Sequence, residues 1–323
     1  MMMKFAVIGS GAMGLRYGIL LQDAGNQVDF IDGWEDNVEK IREQGGAMVS
    51  RDHENTHLVP INIYYPEEYQ GDPDCYIFFT KQMQLADMLD RCSHFFKPNQ
   101  YAFTCMNGMG HIEKLAQYFK PDKLIAGTAL VATVLNGPGD VDFIGKRGAG
   151  SMNLANYTEK PDEFTHQLVD ELEKAQFHPT LTTNFMGTLL AKVVFNSVVN
   201  TICTMFEMTM GEYAAYDGAE DMARQLIDEA YDVCERDGVK LINTRQDEVA
   251  SIMHVSKGAM PLHYPSMYQD MHNYRPTEVD FINGYLVKIG RQHHYNASTH
   301  AFLTHEVHLA ELGKQRELKQ KQA

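Results

Sequence analysis

The sequence predicts an α/β domain over residues 1–183 followed by an all-α domain over residues 184–323. Three observations lead there. Short apolar runs alternate with helix-like stretches in the first part, a glycine-rich turn joins the first run to the first helix, and the hydrophobic period becomes helical from about Asn184.

Lys4-Phe5-Ala6-Val7-Ile8 reads as a strand. It runs into Gly9-Ser10-Gly11-Ala12-Met13-Gly14 and then into a helix from Leu15 to Ala24. Strand, tight turn and helix N-terminus in that order make a Rossmann-type site for a dinucleotide pyrophosphate. Gly9 permits the turn, Gly11 lets the backbone approach the phosphates, and Gly14 lets the helix lie close on the strand. The unpaired N–H groups and positive dipole end of the helix face the anion.

Glycine-rich turns occur in other α/β proteins, so context decides. Val28-Asp29-Phe30-Ile31 reads as the second strand and Asp32 ends it, 18 residues beyond Gly14. The acidic ribose-binding residue is expected at a spacing of about 20. A carboxylate there accepts hydrogen bonds from both ribose hydroxyls of NAD(H) and repels the 2′-phosphate of NADP(H). Gly33-Trp34-Glu35-Asp36 adds negative charge and no base, and Arg42 lies about two helical turns further on. These residues favour NAD(H). The alternative is that Asp32 points away and a more distant base, such as Arg16, meets the phosphate.

Tyr76-Ile77-Phe78-Phe79 and Tyr101-Ala102-Phe103-Thr104 are apolar runs of the kind buried in parallel sheets. Met83 to Phe95 and Ile112 to Phe119 read as crossover helices. Leu124 to Val134 and Val141 to Ile144 read as strands separated by the turn Asn136-Gly137-Pro138-Gly139. Glu163 to Ala175 is an amphipathic helix, and Pro179 to Thr182 a last short strand. Beyond it, Phe185 to Phe206, Gly218 to Asp237, Thr244 to Met253, Thr277 to Ile289 and His300 to Leu312 read as helices, with a charged tail expected to fray after Gly313. A ligand cleft is expected between the two domains.

Composition narrows the class. A formal net charge of −15 disfavours nucleic acid or an anionic membrane as partner. No run of 18 apolar residues suggests a membrane span, and the first apolar run is too short for a signal peptide. Cys75, Cys92, Cys105, Cys203 and Cys234 are scattered without a CxxC pair, as expected for free thiols in a cytoplasmic protein. His305 and His308, at i and i+3, have metal-ligand spacing, but a solvated helix face explains them better and no metal is expected.

The helix from Leu189 to Cys203 is mostly apolar, yet Lys192, Asn196 and Asn200 recur at i, i+4 and i+8. All three share one face. Buried without partners they would cost several kcal/mol. Either the Asn residues form a packing network with Lys192 reaching water, or the face meets a polar ligand. One ammonium beside two carboxamides suits a 2-keto acid. A second polar group, His263-Tyr264-Pro265-Ser266-Met267-Tyr268-Gln269-Asp270, precedes Arg275-Pro276-Thr277-Glu278 and Val279-Asp280-Phe281-Ile282-Asn283-Gly284. Taken alone, Thr277-Glu278 is a plain helix cap and Pro265-Ser266 a turn.

Together with Thr80-Lys81-Gln82-Met83-Gln84, Asn107-Gly108-Met109-Gly110 and Gly137-Pro138-Gly139, these segments resemble the ketopantoate reductase (2-dehydropantoate 2-reductase) family over nearly the whole chain. The resemblance implies a Rossmann domain plus a C-terminal domain of the 6-phosphogluconate dehydrogenase-like kind. It implies that Lys192 is the general acid that protonates the keto oxygen. Asn196, Asn200 and Ser266 would hold the substrate, and Glu278 would meet a substrate hydroxyl or tune Lys192. Asn107 would lie at the nicotinamide–substrate junction, Lys81 near the cofactor, and a homodimer would form through the helical domain. The family default is NADP(H), and members using NADPH carry a base just past the second strand, where this chain has Asp32-Gly33-Trp34-Glu35. His263 to Tyr268 also resembles the NAD-dependent D-2-hydroxyacid (D-mandelate-type) dehydrogenase branch, whose substrates are bulky 2-keto acids. A non-catalytic NAD(H) sensor is the reading from another class; it has no use for Lys192 and Glu278.

Overall fold

A computed structural model describes residues 2–148 and 150–322. The chain divides into two compact units. One takes the chain up to Met106 together with Gly110–Phe185, the other Asn107–Met109 together with the chain from Met186 on.

The first unit runs β1 (Lys4–Ile8), α1 (Ala12–Asp23), β2 (Gln27–Ile31), α2 (Glu35–Gln44), β3 (Ala47–Arg51), β4 (Glu54–Val59), β5 (Asn62–Tyr64), β6 (Cys75–Phe78), α3 (Leu85–Cys92), β7 (Tyr101–Thr104), α4 (His111–Leu115), β8 (Leu124–Leu130), β9 (Ala132–Gly137), β10 (Asp140–Ile144), β11 (Ser151–Asn156), α5 (Glu163–Lys174) and β12 (Pro179–Leu181). The main sheet has the order β12-β11-β8-β7-β6-β1-β2-β5. β1 pairs in parallel with β2 on one side and β6 on the other. The strand order therefore reverses at β1, and in open α/β sheets ligands bind beyond the carboxyl ends of strands at such a point.

Alternation along the strands builds a core on both faces of this sheet. Phe5, Val7, Phe30, Ile77 and Phe103 pack with Leu15, Leu168 and Leu172, while Ala6, Ile8, Ile31, Tyr76 and Phe78 pack with Leu85, Leu89 and Leu115. β6, and β1 beyond Lys4, are thus apolar on both faces.

A second sheet, β4-β3-β10-β9, was not anticipated. It corrects the expected strand from Leu124 to Val134. That run breaks at Val131, so that β8 pairs antiparallel with β11 in the main sheet while β9 pairs with β10 in the small one. Arg16 of α1 fixes the break. Its Nη1 donates to Ala132 O at 2.6 Å and to Thr133 Oγ1 at 3.3 Å, and its guanidinium lies over the Phe143 ring.

The second unit comprises α6 (Phe185–Met205), whose first residue belongs to the other unit, then α7 (Met210–Ala215), α8 (Ala219–Arg236), α9 (Arg245–His254), α10 (Ser266–His272), α11 (Asn283–Gln292) and α12 (Ser298–Gln322). α6 is long and apolar enough to cross a membrane, but most of it lies buried in the protein. Asn283 ties α6 to its neighbours: it accepts from Thr201 Oγ1, donates to the Ser197 carbonyl and meets His300 Nδ1. Glu229 of α8 accepts from the backbone N–H groups of Thr299 and His300, capping α12.

The helix expected from Ile112 to Phe119 is the shorter α4, and two boundaries in the second unit also differ from expectation. The helix expected from Thr277 starts at Asn283, after a 3₁₀ turn over Val279–Phe281, because the Phe281 carbonyl turns to accept from Met109 N–H at 2.9 Å. The tail expected to fray after Gly313 continues α12 to Gln322, tethered by Lys314 to Glu207 and by Lys321 to the Tyr274 hydroxyl.

Candidate active site

The glycine-rich turn leaves β1 where the strand order reverses. Gly9 has φ +91°, and a Cβ there would lie 2.7 Å from Thr80 N. A Cβ at Gly14 would lie 1.9 Å from the Gly9 carbonyl oxygen and 3.2 Å from Val7 Cγ1, so the helix rests directly on the strand. Among the described residues, a Cβ at Gly11 would meet nothing within 4 Å beyond its chain neighbours. Among the described residues no side chain caps the N-terminus of α1, and no acid sits in its first turn. Ala12 and Met13 open that helix, half-buried. An open space at Gly11 in front of uncapped N–H groups fits a pyrophosphate.

Ser10 is fully buried. Its N–H donates to Asp32 Oδ2 at 2.9 Å, and its hydroxyl faces the Ile31 carbonyl at 3.4 Å. Asp32 is only 8% exposed and takes further bonds from Trp34 N–H and Asn37 Nδ2. Burial raises its pKa, while the Trp34, Ser10 and Asn37 hydrogen bonds pull it back down. Asp32 therefore locks the glycine turn to the end of β2. Arg16, the alternative phosphate contact, is buried, and Nη1 is committed to the small sheet; burial pulls its pKa down to about 10. Lys81 lies half-buried on the turn after β6, next to buried Gln82, which meets His111 Nδ1 at 2.9 Å. Burial and the Lys114 charge lower the His111 pKa to about 4, so this imidazole is neutral.

In the helical unit, Lys192, Asn196 and Asn200 lie along α6; both Asn residues are buried. Asn196 Nδ2 donates to Asn107 Oδ1 at 3.3 Å. Asn107 is the first residue of a loop stitched to the turn that carries Glu278. Met109 N–H donates to Phe281 O, and Gly108, at φ +75°, passes so close that a Cβ would lie 2.7 Å from the same oxygen. Glu278 is buried just ahead of that turn. Ser266 is half-buried at the first residue of α10. One unit thus links Asn107 to Asn196 directly and brings the Asn107 loop against the Glu278 turn.

The Lys192 ammonium lies 5.2 Å from the centre of the Phe195 ring. Burial pulls its pKa down to about 8, and the charge of Glu248 acts against that fall. Glu248, on α9, is itself buried, and burial raises its pKa; the Asn243 Nδ2 bond at 2.8 Å and the Lys192 charge oppose the rise. His263, on the chain before α10, feels the Lys192 charge, and burial together with that charge lowers its pKa. Sequence reasoning missed Glu248. Its signal was an acid at i−4 from Ile252, on the apolar face of its own helix, the same kind of anomaly that singled out Lys192.

An ammonium whose pKa is drawn down to about 8, on the helix that also carries two buried carboxamides, can give a proton to a developing alkoxide and take it back. Models of the family described as Ketopantoate reductase PanE/ApbA match residues 5–158 and, for its C-terminal part, residues 184–311. The chain belongs to the ketopantoate reductase family. Among its relatives, the 2-dehydropantoate 2-reductase of Streptococcus pyogenes serotype M6 is 31% identical over 306 residues, spanning 94% of this chain and 97% of that protein. That of Lactococcus lactis is 29% identical over 314 residues, spanning 96% and 98%. A solved ternary structure of D-mandelate dehydrogenase with NADH and anilino(oxo)acetate superposes with a TM-score of 0.91 at 29% identity, covering 97% of this chain and 100% of that one. Family membership brings the Rossmann unit and helical unit under one heading.

His308 meets Glu311 and Asp280, each at 2.9 Å, while among the described residues no three or more His, Cys, Asp or Glu side chains gather as a metal site. The five cysteines are free and buried.

Proposed function

We propose that the chain reduces a branched 2-keto acid to the 2-hydroxy acid with NAD(P)H, ketopantoate to pantoate in pantothenate biosynthesis being the first substrate to test. In this reading residues 1–183 bind the dinucleotide and residues 184–323 hold and protonate the keto acid. The observation that carries it is the Lys192–Asn196–Asn200 face of α6, with an ammonium whose pKa is pulled down to about 8. The 2-dehydropantoate 2-reductase relatives support the substrate.

Gly9, Gly11 and Gly14, with the α1 N-terminus at Ala12-Met13, would hold the pyrophosphate; Ser10 and Asp32 would shape the ribose end, and Lys81 would lie nearby. NAD(P)H, when bound, supplies a hydride to the keto carbon. Lys192 Nζ donates its proton to the keto oxygen as negative charge builds there, leaving a hydroxyl and a neutral amine that regains a proton from water. Asn196, Asn200 and Ser266 orient the carboxylate, Asn107 holds Asn196 in place, and Glu278 meets a hydroxyl of the substrate. Asp32 favours NAD(H).

A second reading, an NAD-dependent D-2-hydroxyacid dehydrogenase acting on bulky 2-keto acids, is favoured by the likeness to D-mandelate dehydrogenase and by Asp32. Following NADH and NADPH absorbance with ketopantoate, phenylglyoxylate and 2-ketoisocaproate tests both. Turnover of ketopantoate supports the first reading. Turnover confined to the other two acids with NADH supports the second, and dinucleotide binding without turnover of any keto acid defeats both.

A further inference from the structure

Gly33 follows Asp32 at the end of β2, where the adenosine ribose of a dinucleotide is read. A Cβ placed on Gly33 would lie 2.6 Å from Arg91 Nη1 and 3.0 Å from Met88 Cε. The guanidinium of Arg91, arriving from the end of α3, thus fills the place that a side chain at position 33 would take. The absence of a base just past the second strand is a fact of the local sequence, but not of the space around it.

Arg91 is held from its far edge. Its Nε and Nη2 donate to Glu67 Oε1 and Oε2 at 2.7 and 3.1 Å, a bidentate pair. Among the described residues, Nη1, the nitrogen at Gly33, has only Asp87 Oδ2 at 3.9 Å as an ionic neighbour. The Arg91 side chain is 32% exposed and that of Glu67 58%, so the pair is partly solvated. A guanidinium stays charged at any working pH and presents N–H donors in a plane, the geometry that phosphate oxygens fit. Asp32 opposes a 2′-phosphate by charge, yet two of its hydrogen-bond donors, Ser10 N–H and Trp34 N–H, are backbone groups that fix the carboxylate in the turn.

We infer that Arg91 is a specificity-determining residue of the dinucleotide site: its Nη1 edge offers a contact to a 2′-phosphate, so that NADP(H) is admitted alongside NAD(H) in spite of Asp32, and Glu67 sets the strength of that contact by holding the opposite edge. The inference rests on the dinucleotide reading proposed above. It differs from a structural tie between α3 and the 66–68 turn, which would treat both dinucleotides alike.

Trp34 is the single tryptophan, is 41% exposed and stands next to Gly33, so its fluorescence reports binding without turnover. NAD⁺ and NADP⁺ are titrated separately into the wild type, Arg91→Gln and Glu67→Gln, with calorimetry as a second readout and thermal melts to confirm folding. The wild type is expected to bind both. Arg91→Gln should weaken NADP⁺ by about tenfold, the worth of a charged hydrogen bond, and leave NAD⁺ within about twofold. Glu67→Gln should tighten NADP⁺ by about threefold and leave NAD⁺ unchanged. An unchanged ratio of the two dissociation constants in folded Arg91→Gln, an equal loss of both dinucleotides, or a wild type that binds NAD⁺ but not NADP⁺ would overturn the inference. A wild type that binds neither by calorimetry would instead remove the dinucleotide reading on which it rests.

Discussion

The buried carboxylate of Glu248 raises the proton affinity of the Lys192 ammonium, against a burial that lowers it. In the proposed reaction reduction needs Lys192 protonated, so with its pKa at about 8 the rate of keto acid reduction should be level below that pH and fall as pH rises through it. Oxidation of the hydroxy acid, which needs the neutral amine, should rise over the same interval. Glu248→Gln keeps an acceptor for Asn243 and removes the charge. Its descending limb should therefore move to lower pH, with little change in the KM for the dinucleotide. A limb that stays in place in the kcat/KM profile would show that Glu248 does not tune this lysine.

Lys192→Ala removes the proposed proton donor and leaves the glycine turn untouched. Turnover should drop by about 10²-fold or more, the scale of a lost general acid. NAD⁺ binding followed through Trp34 should stay as it was. Unaltered turnover would remove Lys192 from the chemistry, and a parallel loss of NAD⁺ binding would assign it to the fold instead.

Gly11 and Gly14 make opposite predictions although they stand three residues apart. A Cβ at Gly11 meets open space, so Gly11→Ala should melt within a degree or so of the wild type and still bind NAD⁺ poorly, because only a ligand would meet the new methyl. A Cβ at Gly14 meets the Gly9 carbonyl at 1.9 Å, and backbone cannot swing aside. Gly14→Ala should cost about 1–3 kcal/mol, as overpacking does, and weaken binding as well. Equal melting temperatures for the two variants would mean that α1 is free to lift off β1.

What the chain revealed in advance was local in sequence. The turn from Gly9 to Gly14, and Asp32 at a fixed distance beyond it, lie within one βαβ unit, and the polar stripe of α6 follows the helical period. Features built from distant segments left no such mark. β4 is exposed along nearly its whole length and shows no apolar alternation, and its neighbour β3 is completed by β10, some ninety residues away. Arg91 reaches Gly33 from another helix, so the residues just past β2 read as lacking a base. Thr277-Glu278 has the composition of a helix start, but the carbonyl of Phe281 is drawn to Met109, and this long-range bond delays the helix to Asn283. Local propensity yields to tertiary contact at each of these places.

Asp32 is the residue on which cofactor preference would ordinarily be tested, and its bonds make the simple exchange ambiguous. Asn37 Nδ2 also donates to the Ser10 carbonyl and so keeps a partner when the carboxylate is removed. The buried N–H of Ser10 has Asp32 Oδ2 as its acceptor, and the N–H of Trp34 has Oδ1. Asp32→Ala should therefore cost about 1–3 kcal/mol of stability for a buried donor left without its acceptor. It should also loosen the turn proposed to receive the pyrophosphate, so both NAD⁺ and NADP⁺ should bind less well even as repulsion of the 2′-phosphate is relieved. Urea unfolding followed by circular dichroism gives the first quantity and titration of Trp34 fluorescence the second. A variant with the wild-type midpoint and a clean gain in NADP⁺ affinity would show that the carboxylate reads the ribose without holding the loop.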